Sequence, residues 1–135
     1  MKNEATSARN FKFPKSERLH SKKLIQTLFD EGCSIFSYPF KVLYLSQPIG
    51  ATGPNQILIT VPRKKFPRAV DRNKIKRRIR EAYRLNKHLL IEKIPADTNA
   101  IIGYIYVGKE ILPYEFIESK LKESLQRLKN EYTKK

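Results

Sequence analysis

The sequence is poor in acidic residues, cysteine and glycine, and it has no tryptophan. Its 13 Asp and Glu stand against 28 Lys and Arg, which gives a net charge of +15 and a pI near 10.0. The single cysteine, Cys33, excludes a disulfide within the chain. No apolar run approaches the roughly 18 residues of a membrane span, and no signal-peptide core follows the polar start. We expect one soluble, cytoplasmic domain over residues 1–135.

The abundant positive charge is concentrated in one segment. Residues 61–80 contain ten Lys or Arg and one acid. Apolar residues recur at helical spacing from Ile75 to Leu89, which predicts a helix that begins at Asp71 as its N-cap. Helical rotation of about 100° per residue places one polar flank beside this apolar stripe. The residues of that flank are Arg72, Asn73, Lys76, Arg77, Arg80, Arg84 and Lys87.

The like charges of this flank destabilise the helix unless an anion binds to them. Like charges four residues apart destabilise a helix by roughly 0.2–0.5 kcal/mol per pair. A solvated surface helix is the alternative, but such helices usually mix both signs, and here the acids are Asp71 and Glu81. A nucleic-acid backbone supplies regularly repeated negative charge. A DNA-reading helix-turn-helix fits less well, because few Asn, Gln or Ser side chains are placed to read bases.

The remaining chain predicts a small α+β sandwich in the order helix, strands, helix, strand, helix. Ser21 is expected to cap the first helix and Gly32 to end it in a left-handed conformation. Strands are expected in residues 34–46, 56–61 and 100–107, with a loop at 47–55 and a last helix at 115–132. Alternation places Phe40, Val42 and Tyr44 on one face of the sheet.

The basic segment resembles a known motif. Arg72-Asn73, then Lys76-Arg77, then Arg80 are similar to the RNR motif of the protein subunit of bacterial ribonuclease P. Residues 61–70 resemble the strand end and loop before that motif, and residues 78–84 its continuation. Residues 16–19, 28–32 and 39–44 resemble the family's first helix and strand, so the likeness covers about residues 13–128. The family usually has Gly where Pro67 stands and a small or polar residue where Arg63 stands, which predicts a differently shaped loop.

The resemblance implies a fold with a left-handed βαβ crossover and a catalytic RNA that uses Mg²⁺ to remove the 5′ leader from precursor tRNA. The protein is then an RNA-binding subunit without catalytic or metal-binding residues of its own, and no obligate protein partner is expected. The expected contacts with RNA are Lys64, Lys65, Arg68, Arg72, Asn73, Lys76, Arg77, Arg80 and Arg84. The expected leader-binding cleft, between the sheet and the first helix, contains Phe29, Phe40, Tyr44, Phe36 and Lys41.

Other interpretations remain open for several of these residues. An aromatic side chain that faces a sheet belongs to the core as readily as to a base-stacking cleft. Cys33 is expected to be a small packed residue, and His20 and His88 to be surface residues. A ribosomal protein or RNA chaperone would share the composition and the basic helix. A protein nuclease is disfavoured because the acids are scattered, whereas two-metal hydrolysis needs converging carboxylates.

Overall fold

A four-stranded sheet with helices on both faces forms the protein. The computed structural model describes residues 12–48, 55–95 and 97–133. A 3₁₀ turn at Lys15–Glu17 precedes the first helix. The elements that follow are α1 Lys22–Glu31, β1 Cys33–Ser37, β2 Phe40–Pro48, β3 Gln56–Thr60, α2 Ala69–Asn86, α3 His88–Ile91, β4 Thr98–Tyr106 and α4 Tyr114–Thr133. This order confirms the predicted α+β class and adds the short helix α3.

The sheet has the strand order β1-β2-β4-β3. β1 pairs with β2 and β2 with β4 in antiparallel fashion, whereas β3 and β4 are parallel. Parallel neighbours need a crossover connection, and here α2 and α3 lie within it. The crossover itself is therefore confirmed, while its left-handedness stays a prediction from the family resemblance.

The two faces of the sheet are covered unequally. One face packs against α2 and α4 in a large core that includes Phe40, Val42 and Tyr104. The other face packs against α1 in a smaller cluster of Leu19, Leu24, Leu28, Leu43 and Ile101. Because α1 has ten residues and α4 has twenty, much less of this second face is covered.

The ends of the helices differ in part from the prediction. Ser21 does cap α1, since its hydroxyl oxygen accepts from the amide of Leu24 at 3.2 Å. Gly32 is not left-handed, with φ −69° and ψ 149°. It is required by close approach instead, because an added Cβ would lie 2.4 Å from the Leu28 carbonyl oxygen. Most of the predicted loop at 47–55 lies outside the described residues.

The basic helix begins earlier than the sequence indicated. Its first residue is Ala69 and its N-cap is Arg68, so the prediction of Asp71 as N-cap was wrong. Asp71 lies in the first turn, where a carboxylate still stabilises the free amides and the helix dipole. It also pairs with Arg68 at 3.6 Å.

An N-terminal segment is fastened to the far end of α2. Lys87, predicted on the exposed polar flank, is buried, and its Nζ lies 2.7 Å from Oε1 of Glu17. Nζ also donates to the main-chain oxygen of Lys12. Beside this ion pair the Phe13 ring meets the Tyr83 ring edge-on, with centroids 5.4 Å apart. Partners 70 and 75 residues away in sequence thus satisfy a lysine that helical rotation alone placed in solvent.

We predict that Glu17→Ala destabilises the protein by about 2 kcal/mol in urea unfolding. The change leaves Lys87 buried without its carboxylate, and the loss falls below the roughly 3–5 kcal/mol of a fully buried pair because Glu17 keeps some contact with water. Glu123→Ala is the matched control, since it removes the carboxylate of the exposed 3.5 Å pair with Lys120. That control should change stability by less than about 1 kcal/mol. Equal losses in both variants would contradict the assignment.

Candidate nucleic-acid interface

Helix α2 separates its apolar and basic residues by side. Its inner side is fully or nearly buried and consists of Ile75, Ile79, Ala82, Tyr83 and Asn86. Asn73, Arg77 and Arg80 are exposed, whereas Lys76 and Arg84 are half-buried. The predicted basic flank is therefore present on a helix that the core holds rigidly, with Lys87 as its one buried exception.

Several of these basic side chains also have partners within the protein. Arg72 donates from Nη1 to the carbonyl oxygens of Phe66 and Pro67, at 2.9 and 2.7 Å. It therefore holds the loop that leads into α2. Arg84 forms an ion pair with Glu81 at 2.7 Å. Their hydrogen bond lowers the pKa of Glu81 and raises that of Arg84.

The loop before α2 presents further positive charge. Arg63, Lys64, Lys65 and Arg68 are exposed there, while Phe66 is buried beneath them. The amide of Phe66 donates to the carbonyl of Pro62 at 3.2 Å, which closes a turn. Lys65 donates to the carbonyl of Val107 at 3.1 Å. The loop thus extends the basic surface of α2 toward the end of β4.

A second surface lies on the sheet face that α1 partly covers. Phe36 of β1 is paired with Lys41 of β2, and Lys41 is paired in turn with Ile105 of β4. These three side chains point to the same face because directly paired residues share a side of the sheet. Phe36 is 59% exposed and Lys41 is exposed. Phe29, 48% exposed on α1, follows Ile25 by one helical turn.

Two predicted cleft residues lie on the opposite face. Phe40 has 0% exposure and contacts the rings of Tyr104 and Tyr106 edge-on, with centroids 5.2 and 6.3 Å away. It cannot stack on a base, so its assignment to the cleft was wrong. Tyr44 was also misplaced, because it faces α4. Its hydroxyl donates to Glu131 at 3.2 Å, and burial together with that carboxylate raises its pKa to about 12.

The prediction also missed the apolar floor of this second surface. Ile25, Leu58 and Ile105 are partly buried against the cluster beneath α1. Gly103 allows α1 to approach, since an added Cβ would lie 3.0 Å from Cδ2 of Leu28. Side chains alternate between the two faces along β3 and β4, so Leu58 and Ile105 can be assigned to this face once the pairing of the strands is known.

The residues expected to have no catalytic role are dispersed. In residues 12–48, 55–95 and 97–133, no group of three or more His, Cys, Asp and Glu is arranged to hold a metal ion. His20 is exposed and His88 is half-buried. Cys33 is exposed at the start of β1, so the expectation of a packed cysteine was wrong. Among the described helices, none combines the length and apolarity needed to cross a membrane.

The rigid basic helix, the basic loop and the exposed aromatic face define a small nucleic-acid-binding protein of the α+β class. A family model described as Ribonuclease P matches residues 13–129. The chain belongs to the ribonuclease P protein family. It is similar to the ribonuclease P protein component of Porphyromonas gingivalis, with 38% identity over 124 residues that cover 91% of this chain and 90% of that protein. The counterpart in Citrifermentans bemidjiense is 38% identical over 121 residues, which are 89% of this chain and 95% of that protein.

Solved structures show the same architecture. The RNase P protein from Thermotoga maritima is 31% identical and has a TM-score of 0.64, covering 82% of this chain and 96% of that one. The Staphylococcus aureus RNase P protein has a TM-score of 0.63 at 22% identity, covering 88% of this chain and 100% of that one, which is a likeness of fold. The protein is thus the protein component of an RNA-containing endoribonuclease of tRNA processing, in which catalysis belongs to the RNA subunit.

Phe36 of β1 is exposed and Phe40 of β2 is buried, so we predict that truncation of the two side chains has very different effects on stability. Phe40→Ala should lower the free energy of unfolding by about 3–5 kcal/mol, because it leaves a cavity among buried rings. Phe36→Ala should change it by about 1 kcal/mol or less, because 59% of the residue is already exposed. Chemical unfolding followed by circular dichroism distinguishes the two. A large loss of stability in Phe36→Ala would place that ring in the core.

Proposed function

We propose that the protein binds the catalytic RNA through the basic side of α2 and its preceding loop. The observation that carries this proposal is the exposed row Asn73, Arg77 and Arg80 on a helix whose other side is locked into the core. Arginine presents a planar fork that binds phosphate oxygens with two hydrogen bonds. A rigid row of such groups binds a sugar-phosphate backbone without the ordering cost of a flexible tail.

We propose further that the face with Phe29, Phe36 and Lys41 binds the single-stranded 5′ leader of precursor tRNA. Both rings are about half exposed, and Lys41 lies directly opposite Phe36 across the strand pair. A base stacked on an aromatic ring contributes about 1–3 kcal/mol, and a neighbouring lysine attracts the phosphate that follows. Because stacking is indifferent to base identity, such a face suits leaders of differing sequence.

We also propose that Mg²⁺ binds mainly to the RNA subunit and that the protein is located in the cytoplasm. The described acids do not converge on one point, so residues 12–48, 55–95 and 97–133 offer no carboxylate cluster that fits a divalent ion. Its own contribution is positive charge, which lowers the repulsion between two RNA molecules and reduces the salt concentration they need in order to associate.

We predict that Arg77→Ala weakens binding to the catalytic RNA and flattens its dependence on salt. For each phosphate that the variant no longer binds, the slope of log K against log salt should decrease by about 0.9. Lys122→Ala, on the exposed side of α4, removes the same charge outside both surfaces and should leave the slope nearly unchanged.

Fluorescence anisotropy over a range of KCl concentrations measures both quantities. Equal slopes for Arg77→Ala and the unsubstituted protein would remove α2 from the interface. Equal affinity for unrelated structured RNAs would favour a general RNA-binding module such as a ribosomal protein.

We predict that Phe36→Ala lowers the preference of the RNA–protein complex for precursor over mature tRNA by roughly fivefold. This corresponds to about 1 kcal/mol, the lower end of the contribution of one stacked base. Tyr44→Phe is the control on the opposite face, and it should leave the preference unchanged because it removes only the hydroxyl that donates to Glu131. A drop in affinity that is equal for both tRNAs in Phe36→Ala would contradict a leader-binding role.

A further inference from the structure

We propose that Arg18 and Arg80 together bind one phosphate group of the catalytic RNA. Arg18 comes from the N-terminal segment, outside the basic helix and the loop that leads into it. The inference rests on the proposed function of α2 and adds a second chain segment to its RNA-binding surface.

The segment that carries Arg18 is fixed from two sides. On the sheet side, the amide of Leu19 donates to the carbonyl of Ile57 at 2.8 Å, and Arg18 forms a parallel bridge with Ile57. On the helix side, Glu17 is held by the buried Nζ of Lys87 at 2.7 Å. Neighbours on both sides of Arg18 are therefore anchored, and its backbone has little freedom.

The guanidinium of Arg18 is also positioned. It lies 5.0 Å above the Phe13 ring, and Nη2 donates to the Phe13 carbonyl at 3.2 Å. The Phe13 ring in turn packs against Tyr83, which follows Arg80 by three residues and is therefore its neighbour on the surface of α2, one turn further along. One of the five N–H donors of Arg18 is used in this arrangement, which leaves the others for an anion.

Arg18 and Arg80 are close enough to affect each other. Partial burial lowers the pKa of Arg80, and the positive charge of Arg18 lowers it further. The neighbouring acids do not offset this repulsion, because Glu17 is paired with Lys87 and Glu81 with Arg84. Within the described part of the chain, neither Arg18 nor Arg80 forms an ion pair with a carboxylate.

A positioned guanidinium, that of Arg18, lies near the guanidinium of Arg80, and neither is paired with a carboxylate among the described residues, so the two together fit an anion. A phosphate oxygen pair can accept from both at once, and binding it removes the repulsion that the free protein carries. The exposed row Asn73, Arg77 continues from Arg80 along α2, so the phosphate in this site belongs to the same backbone that α2 binds. An isolated carboxylate could also neutralise Arg18 and Arg80, but it is not part of a repeated backbone of negative charge that would reach Asn73 and Arg77.

The test is a double-mutant cycle on affinity for the catalytic RNA, measured with the full chain. Arg18→Ala and Arg80→Ala should each weaken binding about fivefold to tenfold and flatten the salt dependence. The double variant should weaken binding by much less than the product of the two factors, because both arginines serve one phosphate. Arg18→Ala combined with Arg77→Ala should give the full product. Arg18→Lys should restore part of the affinity, since it keeps the charge and loses the fork.

Lys15→Ala is the matched control, because it removes an exposed charge from the same segment and should change affinity by less than about twofold. If Arg18→Ala behaves like Lys15→Ala while Arg77→Ala weakens binding, the Arg18 site is refuted and the role of α2 stands. A full product for Arg18→Ala with Arg80→Ala would refute the shared phosphate. If Arg77→Ala and Arg80→Ala are both without effect, the proposed function itself fails. Circular dichroism of each variant excludes unfolding, and Arg18→Lys supplies the comparison if Arg18→Ala does not fold.

Discussion

The packing of α2 into the core determines where its charges point. Ile75 and Ile79 have 0% exposure, and full burial of such a side chain contributes roughly 1.5–3 kcal/mol. The repulsion along the basic row costs roughly 0.2–0.5 kcal/mol per pair. Burial therefore outweighs repulsion, and the helix keeps a row of like charges that it could not maintain as an isolated peptide. The surface that we propose for RNA binding is a consequence of this difference in magnitude.

The same packing leaves the other face of the sheet partly open. α2 and α4 cover one face of the sheet. Tyr104 and Tyr106 of β4 lie on that face and are fully buried. On the other face, ten-residue α1 covers the cluster around Leu28 and stops short of Phe36 and Lys41. The surface proposed for the folded RNA and the surface proposed for the single strand thus lie on different parts of the protein and share no residues.

Local patterns in the sequence predicted the main helices and strands but not which side of the sheet is exposed. Helical periodicity predicted α2, and strand alternation correctly grouped Phe40, Val42 and Tyr44. Alternation has no information on which group meets water, because that depends on which helices cover each face. Phe40 and Tyr44 were therefore placed in the cleft, although the pairing of Phe36 with Lys41 marks the open side. A long-range contact accounts for the error at Lys87. Lys87 fits an exposed helical flank by rotation, but Glu17 and the carbonyl of Lys12 bury it.

Cleavage of a precursor tRNA at low Mg²⁺ is the experiment that decides whether the protein assists a catalytic RNA. The reaction would contain the catalytic RNA of ribonuclease P alone, this protein alone, or the two together, in single-turnover conditions. We expect cleavage at the 5′ end of the mature tRNA in the mixture, little with RNA alone and none with protein alone. Cleavage by the protein alone, or a mixture no faster than the RNA alone despite tight binding, would contradict the assignment of catalysis to the RNA and of positioning to the protein.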